Sequence, residues 1–158
     1  MALKKADLER TGLEGGVLAR IFWDSNLFIY LFEGHPVFGA QVRHLRQRML
    51  HRGDRLYTST LSVSEILVKP EAVSRSDLAE RYLTFFRRPG VNVLPFDFKA
   101  ATFYGRIRQV KAIRAPDAIQ LACAAAAGID LFITNDVRLS DSVVPGINFI
   151  SSLERASV

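Results

Sequence analysis

The segment Ile21–Phe32 constrains the fold more than any other part of the chain. Three apolar residues, Ile21–Trp23, lead directly into the polar triplet Asp24-Ser25-Asn26, and a second apolar run follows. A short, continuously apolar run is typical of a strand that is buried on both faces, as in parallel sheets. Open parallel sheets bind their ligands beyond the carboxyl ends of the strands. The segment therefore predicts a buried strand, then a helix, with polar groups at the ligand-binding edge.

The order of the remaining apolar and polar segments predicts an α/β protein. Further strands are expected at 55–58, 91–94, 131–133 and 147–150, and helical periodicity occupies most of the stretches between them. Strands that alternate with helices imply a mostly parallel sheet with helices on both faces. We therefore predict a three-layer α/β/α sandwich with a mostly parallel sheet of four to five strands.

The composition agrees with one globular domain. Of 158 residues, 49% are hydrophobic and 23% are charged. No apolar run approaches the roughly 20 residues that a membrane helix needs, so we expect no membrane contact. Cys123 is the only cysteine, which excludes an intramolecular disulfide and agrees with a reducing cytoplasm. We predict a flexible or peripheral extension at 1–18, a domain at 19–150 and a C-terminal tail at 151–158.

The net charge points to an acidic partner. Basic residues exceed acidic ones and give the chain a formal net charge of +5 at pH 7. A basic protein of this kind favours a polyanion such as a nucleic acid. The excess charge is spread along the chain, so it does not identify a binding face by itself.

Four acidic residues are predicted near the carboxyl edge of the sheet. Asp24 and Asp136 directly follow predicted strands, whereas Glu65 and Asp117 lie in the first turns of predicted helices. Each acid also has a purely structural explanation. Asp24 and Asp117 suit helix N-termini, and Ser62 with Glu65 matches a capping box. If that helix begins one turn earlier, Glu65 faces the interior instead, and the local sequence leaves both alternatives open.

The chemistry of this acidic cluster favours a hard divalent cation. Carboxylates that share one site repel one another unless a proton or a cation lies between them. Oxygen ligands suit Mg²⁺ or Mn²⁺ rather than Zn²⁺. The three histidines, His35, His44 and His51, fall in or beside one predicted helix and are expected at the surface. The cluster therefore predicts a magnesium or manganese site.

The same residues resemble the motifs of a known family, the PIN domain. The resemblance rests on Asp24-Ser25-Asn26 after a strand, Glu65 in SVSEI, Asp117 in APDAIQLACA and Thr134-Asn135-Asp136, in this order and at comparable spacing. Within the family, the chain is similar to the VapC toxins of bacterial and archaeal toxin–antitoxin pairs. The resemblance covers roughly 19–150. The chain differs at its start, because such toxins usually begin almost at the first strand.

The resemblance implies a metal-dependent endoribonuclease that hydrolyses phosphodiester bonds of RNA. It implies that Asp24 is the central catalytic metal ligand and that Asp117 is its partner. Glu65 and Asp136 would complete the catalytic pocket, which would hold one or two Mg²⁺ or Mn²⁺ ions. These assignments follow from the matching motifs and not from the spacing of the acids alone.

The resemblance also implies roles for four further residues and for protein partners. Asn26 and Thr134 would orient carboxylates or contact the phosphate, and Arg114 and Arg138 would hold the RNA backbone. Toxins of this type pair with an antitoxin protein and commonly form homodimers. We therefore expect an RNA substrate, an antitoxin and a homodimer, and the single cysteine adds a cytoplasmic location.

Other functions stay open at this point. A PIN-like module that binds RNA or a protein without cleaving it has the same fold, and an RNA-processing nuclease that is not a toxin has the same acids. An aspartyl-phosphate enzyme is disfavoured, because Asn26 stands where such a phosphatase has its second acid. A receiver domain is disfavoured as well, because Asp136 is followed by Val137 and Arg138 instead of the lysine of that class.

Overall fold

The computed structural model describes residues 18–156, so the predicted extension at 1–18 lies outside the described residues except for Leu18. Five strands form in this part of the chain: β1 (Arg20–Trp23), β2 (Arg55–Ser59), β3 (Val91–Leu94), β4 (Leu131–Thr134) and β5 (Phe149–Ser152). The helices are α1 (Ser25–Glu33), α2 (Gly39–Arg52), α3 (Thr60–Ala72), α4 (Ser76–Phe86), α5 (Phe98–Ile107) and α6 (Ala115–Ala126). None of these helices is both long enough and apolar enough to cross a membrane.

The five strands form one parallel sheet in the order β3-β2-β1-β4-β5. β1 lies in the centre, where Phe22 is opposite Tyr57 of β2 and Phe132 of β4. All carboxyl ends therefore meet at the same edge, and residues that follow β1, β2 and β4 become neighbours. The predicted α/β sandwich with a parallel sheet is confirmed.

The side chains of β1 are buried on both faces of the sheet. Ile21 and Trp23 belong to one hydrophobic core, and Phe22 belongs to the other. Phe22 stacks on Phe132 with 4.8 Å between the ring centroids. Because both faces are covered, the strand has no polar alternation, which is why the apolar run in the sequence predicted it.

The two cores lie on opposite faces of the sheet and define the three layers. The first core includes Leu27 and Phe28 of α1, Met49 of α2 and Phe86 of α4. Phe28 and Phe86 pack with ring centroids 5.0 Å apart. These contacts fix the start of α1, and therefore Asp24, against the centre of the sheet.

Helix α6 covers the other face with small side chains. Ala118, Leu121, Ala122 and Ala125 are buried, as their spacing predicted. Cys123 on the same helix is also buried, and burial raises the pKa of its thiol to about 11. A thiol that stays protonated at neutral pH is a poor nucleophile. Cys123 is therefore a core residue, and α6 lies close enough to the sheet to bring Asp117 to the carboxyl edge.

Helix α3 begins earlier than the capping-box prediction required. Ser59 is its N-cap, and the Ser59 hydroxyl accepts a hydrogen bond from the backbone N–H of Ser62 at 3.2 Å. Ser62 is therefore a buried residue within the helix, and the prediction that it caps the helix is wrong. The helix does begin earlier, as the alternative for Glu65 required, but Glu65 is exposed and does not face the interior.

Candidate active site

Asp24 lies at the junction of β1 and α1, close to the centre of the carboxyl edge. As the N-cap of α1 it accepts a hydrogen bond from the backbone N–H of Ser25 at 2.7 Å. Its other oxygen accepts one from the hydroxyl of Thr134 at 2.7 Å. Burial raises the pKa of Asp24, these two hydrogen bonds oppose the rise, and the charges of Asp117 and Glu65 add to it. Asp24 is thus a cap and also a buried acid beside two others.

Thr134 connects the ends of two neighbouring strands. Its fully buried side chain donates to Asp24 and accepts a hydrogen bond from the backbone N–H of Asp136 at 3.0 Å. Because β1 and β4 are adjacent and parallel, the residue that ends β4 lies directly beside the residue that follows β1. One hydroxyl therefore links the two polar segments that follow these strands.

Arg138 lies between two of the acids. Its guanidinium donates to both carboxylate oxygens of Asp136, with Nε 2.9 Å from Oδ1, and Nη2 lies 3.7 Å from Oδ2 of Asp117. The hydrogen bond from Arg138 is the main reason that the pKa of Asp136 is lowered. Burial raises the pKa of Asp117, and Arg138 opposes the rise. The guanidinium of Arg138 therefore neutralises part of the negative charge of the acidic cluster.

Glu65 reaches the cluster through a serine. Its carboxylate accepts a hydrogen bond from the hydroxyl of Ser25, the residue that follows Asp24. The charge of Glu65 also raises the pKa of Asp24, so the two carboxylates are close enough to interact. The structure thus brings Glu65 to the same edge from an exposed position on the first half of α3.

The remaining predicted residues surround the acids. Asn26 is exposed in the first turn of α1. Arg114 is exposed immediately before α6, and its positive charge opposes the rise in the pKa of Asp117 and adds to the lowering of the pKa of Asp136. Arg114 and Arg138 therefore place two positive charges at the border of the acidic cluster.

Sequence analysis missed Gln120, which lies one turn after Asp117 on α6. Only 3% of its surface is exposed, and its amide forms hydrogen bonds with Ser25, Ser59 and Ser62. The available signal was a glutamine in an otherwise small and apolar helix, because a buried amide needs hydrogen-bond partners.

A family comparison identifies the domain. A model of the PIN domain matches residues 21–142, which include all four acids. The chain belongs to the PIN domain family. No curated protein gave a significant match to the sequence.

Solved structures of toxin–antitoxin complexes share the fold of this PIN domain. A chain of VapBC2 from Rickettsia felis, bound to a promoter DNA fragment, aligns with a TM-score of 0.65 at 15% identity, covering 84% of this chain and 97% of its own. A chain of DNA-bound VapBC from Salmonella typhimurium aligns with a TM-score of 0.61 at 23% identity, covering 86% and 99%. A toxin–antitoxin complex from Klebsiella pneumoniae gives a TM-score of 0.59 at 20% identity, covering 80% and 94%. These similarities establish a shared fold.

The donor set of this PIN domain fits a hard divalent cation. The acids offer only oxygen, and the ionised form of Asp24 is opposed by burial and by two negative neighbours, a situation that a cation relieves. No three acidic, histidine or cysteine side chains within residues 18–156 form a ready metal cage. Mg²⁺ usually keeps several waters and binds through one or two carboxylates, so it needs no such cage. Asp24 and Asp117 are the two acids of the cluster whose pKa values are raised by burial, so they are the residues that could hold it.

Proposed function

We propose that this PIN domain protein is a metal-dependent endoribonuclease that uses Mg²⁺ or Mn²⁺. The observation that carries the proposal is the buried carboxylate of Asp24, whose pKa is raised by burial and further by Asp117 and Glu65. A fold rarely keeps a buried acid beside other acids unless a cation or a proton compensates the charge. Membership of the PIN domain family supports it further, because the matched residues 21–142 include all four acids.

The four acids have different roles, which follow from their positions. Asp24 and Asp117 hold the ion, and Glu65 and Asp136 complete the pocket. When bound, the ion supplies the positive charge that activates a water and stabilises the leaving oxygen. Thr134 orients Asp24 through its hydroxyl, which fixes the carboxylate before RNA binds. No histidine base is required, and none of the three histidines belongs to the cluster.

Positive residues at the border of the cluster hold the RNA. Carboxylates repel a phosphate backbone, so nearby cations must attract it. Arg114 is exposed and next to the acids in space, and Arg138 is 41% exposed while it contacts Asp136. Asn26 is exposed beside Asp24 and is available to a phosphate oxygen. These three residues form the proposed RNA contact.

The biological setting that we propose is a VapBC-type toxin–antitoxin pair. The similar solved structures are toxin–antitoxin complexes, which supports an antitoxin as partner. A homodimer and a cytoplasmic location are further parts of this proposal. Arrest of growth by the protein alone, with rescue by a small protein encoded immediately upstream, is the expected outcome. Normal growth would favour an RNA-processing nuclease, and a monomer in sedimentation would contradict the dimer.

RNA cleavage by the purified protein tests the nuclease. A labelled total-RNA or tRNA pool is incubated with the partner-free protein in Mn²⁺, in Mg²⁺ and in EDTA. We expect fragments that require metal and that Asp117→Asn abolishes. Asp130→Asn is the matched control, because Asp130 precedes β4 at the opposite edge and its side chain accepts the Arg20 backbone N–H at 2.8 Å. Equal fragment yields from the wild type and Asp117→Asn would contradict the proposal.

A binding module without catalysis is the second candidate. The observation in its favour is Arg138, which already compensates Asp136 and lies near Asp117. If Arg138 fully replaces the ion, the protein binds no Mn²⁺ and cleaves no RNA. Measurable Mn²⁺ affinity that Asp24→Asn removes would exclude this candidate.

A further inference from the structure

A buried polar network connects three helix starts beneath the acidic cluster. The amide oxygen of Gln120 accepts hydrogen bonds from the hydroxyls of Ser59 at 2.6 Å and of Ser62 at 3.0 Å. The amide nitrogen donates to Ser62 at 2.7 Å and to Ser25 at 3.2 Å. All four side chains are buried. Gln120 thus joins α6 to the beginnings of α1 and α3.

One residue of this network, Ser25, forms hydrogen bonds with acids of the cluster. Ser25 is the member that also donates a hydrogen bond to Glu65, and its backbone N–H donates to Asp24. Gln120 itself forms no hydrogen bond with an acid of the cluster. The hydrogen-bonded route from Gln120 to the carboxylate of Glu65 therefore passes through the hydroxyl of Ser25.

Hydrogen-bond chemistry fixes the direction of this connection. An ionised carboxylate only accepts, so Ser25 gives its single hydroxyl proton to Glu65. The oxygen of Ser25 then has to accept, which requires the amide nitrogen of Gln120 to face it. At the other end, Ser59 accepts from the backbone N–H of Ser62 and gives its own proton to the amide oxygen of Gln120. The other acceptor near the Ser25 hydroxyl is Ser62 Oγ at 3.4 Å, which is longer than the contact with Glu65. The donors therefore point from α3 through Gln120 to Glu65.

We propose that Gln120 is a positioning residue that aims the hydroxyl of Ser25 at Glu65. The inference rests on the proposed function, because it assumes that Glu65 belongs to the metal pocket. Glu65 is on an exposed part of α3, where a long side chain has many rotamers. A fixed donor selects the rotamer that turns the carboxylate towards Asp24. Gln120 provides that fixed donor, since its own position is set by two buried serines.

Loss of the amide has a definite consequence for the pocket. Without the amide N–H of Gln120, the hydroxyl of Ser25 can turn to Ser62 Oγ, which lies 3.4 Å away, and Glu65 loses its fixed donor. Groups that orient metal ligands typically contribute about 10–100-fold to metal affinity. We expect the Mn²⁺ dissociation constant to rise about 10-fold, the lower end, because Glu65 is one of several acids.

A double-mutant cycle on Mn²⁺ affinity tests the role of Gln120. Free Mn²⁺ is titrated by electron paramagnetic resonance in the full-length wild type, Gln120→Met, Ser25→Ala and the double variant. We expect each single change to raise the dissociation constant about 10-fold and the double change to raise it no further. Thermal unfolding of each variant reports the structural contribution separately.

Thr58→Val is the matched control. Thr58 is fully buried, and its hydroxyl donates to the carbonyl of Trp23 at 3.0 Å, outside the network. We expect this variant to lose stability and to keep its Mn²⁺ affinity. A similar loss of affinity in Thr58→Val would mean that general destabilisation explains the effect, and would overturn the role of Gln120.

Each remaining outcome decides between the two proposals. Additive effects of Gln120→Met and Ser25→Ala, or a wild-type affinity in Ser25→Ala, would overturn the positioning role while the metal site stands. If Gln120→Met does not fold, Ser25→Ala still tests the positioning role, because a wild-type Mn²⁺ affinity in that variant would overturn it. A wild type that binds no Mn²⁺ would contradict the proposed function and with it the role of Gln120.

Discussion

The hydroxyl of Thr134 donates a hydrogen bond to Oδ2 of Asp24 across 2.7 Å, although the two residues are 110 positions apart in the chain. The hydroxyl oxygen of Thr134 also accepts a hydrogen bond from the backbone N–H of Asp136. The contact exists because β1 and β4 are adjacent and parallel, so that their carboxyl ends meet. One threonine therefore ties the acid after the first strand to the acid after the fourth.

Replacement of Thr134 by valine should damage both stability and metal binding. Valine has the same shape but leaves the Asp136 N–H without its acceptor and Asp24 without its donor. An unsatisfied buried group costs about 1–3 kcal/mol, which urea unfolding measures. We expect Mn²⁺ affinity to fall about 10-fold, as for other groups that orient ligands. Thr134→Ser keeps the hydroxyl and should retain most of both properties, and equal losses in the two variants would contradict this account.

Asp24→Asn should abolish cleavage and at the same time stabilise the fold. The pKa of Asp24 is raised in the native state, so the native protein binds this proton more tightly than the unfolded chain. Ionised Asp24 therefore opposes folding at neutral pH, and the amide removes that cost. We expect a gain of about 1 kcal/mol, or about 2–4 °C in Tm for a domain of this size. The gain should shrink as the pH falls through the native pKa of Asp24, where the wild-type acid is protonated.

Asp54 provides the contrast, because it is a buried acid whose charge is compensated. It accepts the Ala19 N–H at 3.1 Å, and Arg52 Nη2 lies 2.9 Å from its Oδ2 without the alignment of a hydrogen bond. Asp54→Asn should lower Tm, since it leaves Arg52 without its partner. Calorimetry at pH 7 distinguishes the two variants, and a lower Tm in Asp24→Asn would show that its hydrogen bonds outweigh the cost of its charge.

The sequence was sufficient for the sheet because β1 is buried on both faces. Ile21, Phe22 and Trp23 have no polar alternation, and only a central strand of a covered sheet permits that. The location of the acids at one edge followed from the same argument. The network around Gln120 could not be predicted, because it depends on which serines from two distant segments meet one amide.

Helix boundaries were the weaker part of the prediction for a similar reason. Ser59 and Ser62 are both serines at the start of α3, and either can cap a helix. The pairing of β2 determines which serine caps the helix. Ser59 is opposite Leu94 of β3, so β2 continues to Ser59 and the helix begins after it. Ser62 then falls inside the helix and joins Gln120. Strand pairing, which the local sequence does not contain, therefore determined the position of Glu65.

Arg138→Gln should change metal affinity and RNA affinity in opposite directions. Arg138 compensates Asp136 and Asp117, so its removal leaves both acids free for a cation. Exposed ion pairs are weak, so we expect Mn²⁺ to bind more tightly by a few-fold at most. RNA should bind more weakly, and the slope of log affinity against log salt should fall by about 1.

The RNA measurement for Arg138 uses fluorescence anisotropy in an Asp117→Asn background, in which no cleavage is expected. Arg155→Gln is the control, because Arg155 pairs with Asp141 at 2.8 Å and contacts none of the four acids. Weaker Mn²⁺ binding by Arg138→Gln would contradict the competition between the guanidinium and the ion. An unchanged salt slope would remove Arg138 from the proposed RNA contact.

Divalent cations should stabilise the native protein through Asp24. A ligand that binds only the native state stabilises it by about 2.7 kcal/mol at 100 times its dissociation constant. For a domain of this size that corresponds to a rise in Tm of about 5–10 °C with Mn²⁺. In Asp24→Asn the rise should disappear, because the buried carboxylate that needs the cation is gone. An equal rise in the wild type and the variant would show that Mn²⁺ binds elsewhere on the surface, and the acids at the carboxyl edge would then lack the ion on which the proposed cleavage depends.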